Sequence, residues 1–358
     1  MKISIHKYTL DFRFEAGTSR GIMTAHHVWF LKLWHPENPS VFGLGECAPL
    51  PGLSPDLQGD LAAAMTHLVS VIDAAKDMEA ISVEAIFSPR FPALRFAIET
   101  AMRDLKQGGN RILFDNGFSR SEVTIPINGL VWMGNKKLMQ ERIGQKIEDG
   151  FTCIKIKIGG IDFEDELDLL AHIRRAYSAR EITIRLDANG AFTPNNALQS
   201  LEKLALFDIH SVEQPIAAGD WPGMSRICEK SPIPIALDEE LIGVYQRSEK
   251  IRMLNEIRPA YVILKPSLLG GFEQTGEWIG LAAESKIGWW VTSALESNIG
   301  LNAIAQFVGN YPSDMPHGLG TGQLYHNNFT SPLQVRSGQL HYELNRPWDL
   351  PISHASAG

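Results

Sequence analysis

From residue 124 onward the chain repeats one unit. Short apolar runs recur at 124–130, 152–158, 182–187, 209–216, 233–238, 260–265, 288–293 and 314–319. Helix-length amphipathic stretches separate most of them, among others at 163–178, 195–206, 244–256 and 272–286. Strands that alternate with helices predict a parallel sheet, because each connection must cross a face of the sheet before the next strand can run the same way. Eight strands in about 200 residues predict closure into a (β/α)8-type barrel, a modified TIM barrel within the α/β class. The alternative is an open doubly wound sheet. That fold carries a Gly-rich turn after its first strand, and Asn128-Gly129-Leu130-Val131-Trp132 is not one.

The first 120 residues follow a different rule. Strand signals come first, at 3–13, 23–34 and 41–46, and helical patterns follow at 56–76 and 91–106. Strands followed by helices predict an α+β unit over 1–120, with the barrel over 121–330. The stretch 331–350 again looks strand-like, through Leu333, Val335, Leu340 and Tyr342, so the segment 331–358 is suited to return to the first unit.

Composition removes several function classes. Lys and Arg number 33 against 41 Asp and Glu, a net charge of −8. The large basic surface that phosphate binding needs is therefore missing, which argues against nucleic acid and against anionic membrane as partners. Cys47, Cys153 and Cys228 are odd in number, widely spaced and without a C-x-x-C pair, so neither a disulfide framework nor a zinc knuckle is predicted. No apolar run approaches the ~20 residues of a membrane span, and the N-terminus lacks the apolar core of a signal peptide. A soluble protein of the reducing cytoplasm is expected, acting on a small molecule, with its oligomeric state left open.

In a barrel of this kind the chemistry belongs at the C-terminal ends of the strands. The second run, Cys153-Ile154-Lys155-Ile156-Lys157-Ile158, alternates strictly and so puts both lysines on one face. If that face is the interior, carboxylates or a ligand must compensate them. The next three runs each end in an acid: Asp187, then Glu213, then Asp238, spaced 26 and 25 residues apart. Three carboxylates converging from consecutive strands repel one another unless a cation holds them. All-oxygen donors select Mg²⁺ or Mn²⁺ over Zn²⁺. The sixth run ends in Lys265, 27 residues beyond Asp238 and just ahead of Pro266. Lysines then stand on both sides of a metal site, where a partly desolvated amine can act as a general base. The arrangement suits removal of a weakly acidic proton beside a carboxylate.

These residues resemble the enolase superfamily, and within it the muconate-lactonizing subgroup. The matching motifs are Lys155-Ile156-Lys157, Asp187-Ala188-Asn189, Glu213-Gln214-Pro215, Asp238-Glu239 and Lys265-Pro266. The first 120 residues look like the capping domain of that family. The resemblance implies Asp187, Glu213 and Asp238 as Mg²⁺ ligands and Lys157 and Lys265 as the acid/base pair. The stretches Thr292–Gln306 and His317–Tyr325 are similar to the o-succinylbenzoate synthase branch, as is Arg185 two residues before the first acid. That branch implies Lys155, Arg185, Asn189 and Ser293 as substrate contacts. The implied reaction is syn dehydration of 2-succinyl-6-hydroxy-2,4-cyclohexadiene-1-carboxylate in menaquinone biosynthesis. Dipeptide epimerases of the subgroup carry an Asp-x-Asp pair after the last strand, where this chain has Gly320, Thr321 and Gly322. An epimerase or racemase of dipeptides or N-acylamino acids stays as the alternative within the family. A Schiff-base aldolase and a non-catalytic ligand-binding barrel are the alternatives outside it.

Other signals are weaker. Gly43-Leu44-Gly45-Glu46 and Gly318-Leu319-Gly320 lack the full spacing of a phosphate loop and read as turn glycines. The stretch 43–50 resembles a family loop that closes over the site, and 14–20 is either a second lid or an ordinary hairpin turn. The rings of adjacent His26 and His27 face opposite ways on a strand, which argues against a metal pair. His317 is either a site-rim or a structural histidine, and Trp289-Trp290 reads as core.

Overall fold

The computed structural model describes residues 1–18, 21–83 and 90–350. Three long strands open the chain: β1 (Lys2–Thr18), β2 (Gly21–His35) and β3 (Asn38–Cys47) form an antiparallel sheet in that order. Alternation decides the faces, and on β2 it buries His26 while leaving His27 in solvent. Helices α1 (Leu61–Ala74) and α2 (Pro92–Lys106) follow. The Asp60 carboxylate caps α1 by accepting from the Ala63 amide. Pro92 begins α2, where its missing N–H costs nothing.

Gly43 and Gly45 owe their place to this packing. A Cβ on either would lie 1.8 Å from a carbonyl oxygen of α2, that of Ala101 or Ala97. Glycine on one side and alanine on the other let the helix backbone rest on the strand. That is the physical role of the glycines read above as turn formers.

The second unit is a parallel sheet of seven strands. In chain order these are β5 (Gly129–Val131), β6 (Cys153–Lys157), β7 (Thr183–Asp187), β8 (Ser211–Glu213), β9 (Ile235–Leu237), β10 (Tyr261–Leu264) and β11 (Gly288–Val291). The segment at 317–318 takes the eighth position without forming a full strand. It makes one parallel bridge from His317 to Ile127 and another from Gly318 to Thr292, which closes the ring. Helices α3 (Lys136–Glu148), α4 (Phe163–Ala176), α5 (Ala197–Leu204), α6 (Trp221–Lys230), α7 (Arg247–Ile257), α8 (Pro266–Leu269), α9 (Gly271–Glu284) and α10 (Asn298–Val308) make the connections and the outer layer. Every strand position of β6 is buried, since its isoleucines meet the helices and its lysines the interior. Ala236, Ile263 and Trp290 form a separate apolar plug inside the ring, with Tyr261 and Met315 against it. Trp289 is half-buried against Tyr311.

The C-terminal strands β12 (Leu333–Arg336) and β13 (Gln339–Tyr342) join β4 (Ile125–Pro126) in a small antiparallel sheet. They sew the end of the chain to the start of the barrel and do not extend the first sheet. Trp348 and Leu350, further on, do pack against a cluster that includes Leu10, Phe12 and Phe30 of that sheet.

One buried carboxylate joins the two units. Glu46, at the end of β3, sits at the N-terminus of α10 and accepts from the Ser297 amide (2.8 Å), the Ser297 hydroxyl (2.6 Å) and the Gly300 amide (2.8 Å). Burial pushes its carboxyl up to about 7 against the pull of these donors, and nearby Glu296 adds to the rise. Buried Asp56 and half-buried Glu99 are pushed up to about 7 as well, chiefly by desolvation. A raised acid binds its proton more tightly in the folded chain, so its stabilising share is full below its ordinary value and is lost as pH rises through about 7. The melting temperature of the metal-free protein is therefore expected to fall between about pH 5 and pH 8. Glu46→Gln should flatten that slope, and a melting temperature that climbs over the same range would contradict the assignment.

Candidate active site

The site is built at one end of the sheet, where strand register brings the charged side chains level. Lys157 pairs in register with Asp187, and Asp187 with Glu213. Asp238 follows the last residue of β9, and Lys265 follows the last residue of β10, ahead of Pro266 at the start of α8. All five side chains are almost fully buried.

The ammonium groups are threaded between the carboxylates. Lys155 Nζ lies 3.0 Å from Asp187 Oδ2 and 2.5 Å from Glu213 Oε2. Lys157 Nζ donates to the same Asp187 oxygen at 3.1 Å and to Asn189 Oδ1 at 2.6 Å. Lys265 donates to Asp238 Oδ2. Asn189 adopts a left-handed φ of 44°, and its side-chain Nδ2 donates to Glu239 Oε1 at 3.0 Å.

Burial works against charge at Lys155, yet Asp187, Glu213 and Asp238 outweigh it and raise its affinity for the proton. Burial likewise opposes ionisation of Asp187, but Lys155, Lys157 and Lys265 hold its carboxyl well below the usual range. Glu213 goes the other way. Burial and the neighbouring Asp187 and Asp238 charges drive it well above the ordinary value despite Lys155. Three carboxylates here demand more positive charge than is easily supplied to the third of them.

That demand fits a divalent cation. Glu213 Oε1 and Asp238 Oδ1 are buried without a hydrogen-bond partner, and the donor set is all oxygen. As the side chains stand, no three His, Cys, Asp or Glu among the described residues are gathered closely enough to hold a metal ion. Ammonium groups stand between the carboxylates instead: Lys155 and Lys157 pair with Asp187, and Lys265 with Asp238.

A cavity of about 360 Å³ opens over this layer. Lys155, Lys157, Asp187, Asn189 and Lys265 line it below. Phe14 from β1 and Leu50 from the loop after β3 line it from the first unit, and Trp132, from the segment after β5, lines it from the barrel. Ser293 also faces it, its hydroxyl 2.6 Å from that of Thr321. Of the two loops read as closing elements, 43–50 thus contributes Leu50 and 14–20 contributes Phe14. Ser19 and Arg20 of the latter lie outside the described residues.

Arg185 is not brought to this cavity. It faces the same interior as Asp187 but one layer deeper. Its guanidinium donates to the Pro316 carbonyl (2.7 Å) and stacks 4.0 Å from the Trp290 ring, and it lines no part of the substrate space. Its partners hold it against the barrel plug, away from the cavity in which it was expected as a substrate contact. His317 is structural too. Its Nδ1 accepts from the Val291 amide at 3.0 Å, which sets the neutral tautomer, and burial lowers its pKa to about 3.

Gln214, named in the sequence only as part of the Glu213-Gln214-Pro215 motif and given no role there, is a locking residue. Its Oε1 accepts from the amides of Asp238 and Glu240, and its Nε2 donates to Ile216 O and Glu240 Oε2. One amide thereby fixes the end of β8 to the end of β9, and Glu213 to Asp238. An amide directly after a strand-end acid was the only trace of it. Trp132, with its ring 5.9 Å from Lys157 Nζ, left none.

A family model described as Enolase C-terminal domain-like matches residues 138–346. The chain belongs to the enolase superfamily. Within that superfamily, the o-succinylbenzoate synthase of Desulfotalea psychrophila is 45% identical, over 95% of this chain and 98% of its own length. The crystal structure of MenC from the same organism matches with a TM-score of 0.84 at 43% identity, covering 95% of this chain and 99% of that one. An N-succinylamino acid racemase from Amycolatopsis is 24% identical over 87% of this chain and 84% of its own. The L-Ala-D/L-Glu epimerase of Bacillus subtilis shares the enolase-superfamily fold, with a TM-score of 0.81 at 18% identity over 98% of this chain and all of its own.

Proposed function

We propose that this chain is an o-succinylbenzoate synthase, a hydro-lyase that converts 2-succinyl-6-hydroxy-2,4-cyclohexadiene-1-carboxylate to 2-succinylbenzoate and water in menaquinone biosynthesis. One observation carries the reading. Lys157 and Lys265 reach the same cavity from strands on opposite sides of the ring, with three acids on the strands between them. The high identity to the Desulfotalea psychrophila synthase over nearly the whole chain supports this choice among the reactions such a site can run.

The residues divide the work as follows. Lys157, as a free amine, takes the proton from the ring carbon bearing the carboxylate. The electron pair left behind moves into that carboxylate as an enediolate. The same ammonium then returns its proton to the departing hydroxyl on the same face, the C–O bond breaks, and the ring becomes aromatic. Lys265 stays protonated on the far face and offsets the developing negative charge. Lys155 and Asn189 orient the carboxylate end and Lys157 respectively, and Ser293 presents its hydroxyl to the chain side of the substrate. Asp187, Glu213 and Asp238 are the residues that would hold Mg²⁺, with Mn²⁺ as a substitute. When bound, it supplies positive charge where the carboxylate gains its second negative charge.

The protein belongs in the cytoplasm on this reading, where its three free cysteines stay reduced. No helix among the described residues is long and apolar enough to cross a membrane.

The test is a continuous ultraviolet assay of the purified protein with the cyclohexadiene substrate and Mg²⁺. Metal-dependent formation of the aromatic product is the expected result. A folded protein that binds Mg²⁺ yet leaves the diene intact would end the assignment.

A further inference from the structure

We infer that Arg142 is the specificity-determining anchor for the second carboxylate of the substrate, the one at the end of the succinyl chain. The inference rests on the synthase reading above, because it is that substrate which carries two carboxylates.

Arg142 projects from α3 to the cavity wall and is half-buried there. Its Nη1 donates to the carbonyls of Trp132 and Met133, both at 3.0 Å, which fixes the guanidinium in place. Among the described residues, its Nε and Nη2 have no hydrogen-bond partner and no acid pairs with it. Burial lowers its pKa with no neighbouring carboxylate to oppose the shift. The lysines below the cavity are already engaged: Lys155, Lys157 and Lys265 hold Asp187, Glu213 and Asp238. Lys146, the remaining cation on the wall, stands 3.9 Å from Asp149 and 5.1 Å from the Phe151 ring. A partly desolvated guanidinium with an open edge is a fork for a carboxylate.

Its position matches the shape of the ligand. The guanidinium lies 5.3 Å over the Phe14 ring. Phe14 meets Trp132 edge-on at 6.0 Å, and the Trp132 ring faces Lys157 Nζ at 5.9 Å. A continuous aromatic wall therefore leads from the reacting amine to Arg142. A flat diene ring can lie along that wall with its carboxylate at the acid–lysine layer and its keto-acid chain running toward the guanidinium. The wall is also where the first unit meets the barrel, since Gly17 bridges Met133, one of the residues Arg142 braces. Phe14 thus contributes to the anchor from the opposite unit.

Arg142 could instead serve only to brace the 132–133 segment, and the two roles separate experimentally. Inhibition by 2-succinylbenzoate and by 2-butyrylbenzoate, which carries a methyl in place of the distal carboxylate, would be measured with Mg²⁺ on wild type, Arg142→Gln and Arg142→Lys. An anchor predicts that Arg142→Gln weakens 2-succinylbenzoate by about ten- to a hundredfold and changes 2-butyrylbenzoate by less than about twofold. The KM for substrate should rise with kcat little altered, and Arg142→Lys should fall in between. A brace predicts equal weakening of both ligands, and that result, or no change in either, overturns the inference. If the Gln variant does not fold, the Lys variant gives the same comparison. A wild type that binds Mg²⁺ but does not turn over the diene removes the synthase reading itself. An active wild type whose variants treat both inhibitors alike removes only the anchor.

Discussion

Lys157→Ala is expected to lower kcat by a factor of about 10³ to 10⁴, the usual worth of a positioned acid/base group, with the fold and product binding retained. Retention follows from the charge layout. Removing the Lys157 ammonium leaves Asp187 still 3.0 Å from Lys155, so no buried carboxylate is stranded. Lys265→Ala is a harsher change, because Lys265 is the only ammonium paired with Asp238 among the described residues. That variant should lose turnover to a similar degree and melt at a lower temperature as well. Turnover assays beside thermal melts of both variants distinguish the two outcomes. A Lys157→Ala protein that keeps more than about a tenth of wild-type activity would show that the proton moves by another route.

Chelation should abolish activity altogether, and reversibly. The three acids carry two buried oxygens without partners, on Glu213 and Asp238, and Glu213 resists ionisation because it is buried and because Asp187 and Asp238 stand beside it. A divalent cation relieves both conditions at once. Mg²⁺ is thus expected to raise the melting temperature in a concentration-dependent way, as any ligand of the folded state does. Glu213→Gln removes one of the three charges. It should cancel most of that rise and reduce turnover by at least about 10³, on the scale of losing the charge stabilisation of the transition state. Activity that survives EDTA, or a melting temperature indifferent to millimolar Mg²⁺, would be decisive against a metal-assisted elimination.

What the sequence revealed and what it hid have a common cause. In a parallel barrel the buried strands are apolar, so Lys157, Asp187, Glu213, Asp238 and Lys265 stand out at their ends. Depth is harder to read. Arg185 and Asp187 share a face, but two residues are about 7 Å along a strand, enough to move the guanidinium out of the cavity and onto Trp290. The eighth run, Asp314-Met315-Pro316-His317-Gly318-Leu319, supplies only two bridges, because Pro316 has no N–H to pair and Gly318 is a poor strand former, while Asp314 and His317 break its apolar character. Arg142 was invisible for a related reason. A cation in a polar helix looks the same whether it faces water or a cavity wall, and the wall is completed by Phe14 and Leu50 from far along the chain.

The segment that matches the enolase-type family begins at residue 138, but no physical seam lies there. β4 and β5 lie before that point and are held by β13 and β6. Phe12 bridges Tyr325, Gly17 bridges Met133, and one apolar cluster draws Leu10, Phe30 and Leu44 together with Trp132, Ile299 and Phe329. Glu46 meanwhile satisfies the open amides of a helix that belongs to the barrel. A barrel cut loose from its first 120 residues would expose that cluster, lose part of the wall of its own cavity and leave the Ser297 and Gly300 amides without their carboxylate acceptor. The two units are separate in architecture and indivisible in stability, so heat should unfold them in a single cooperative transition.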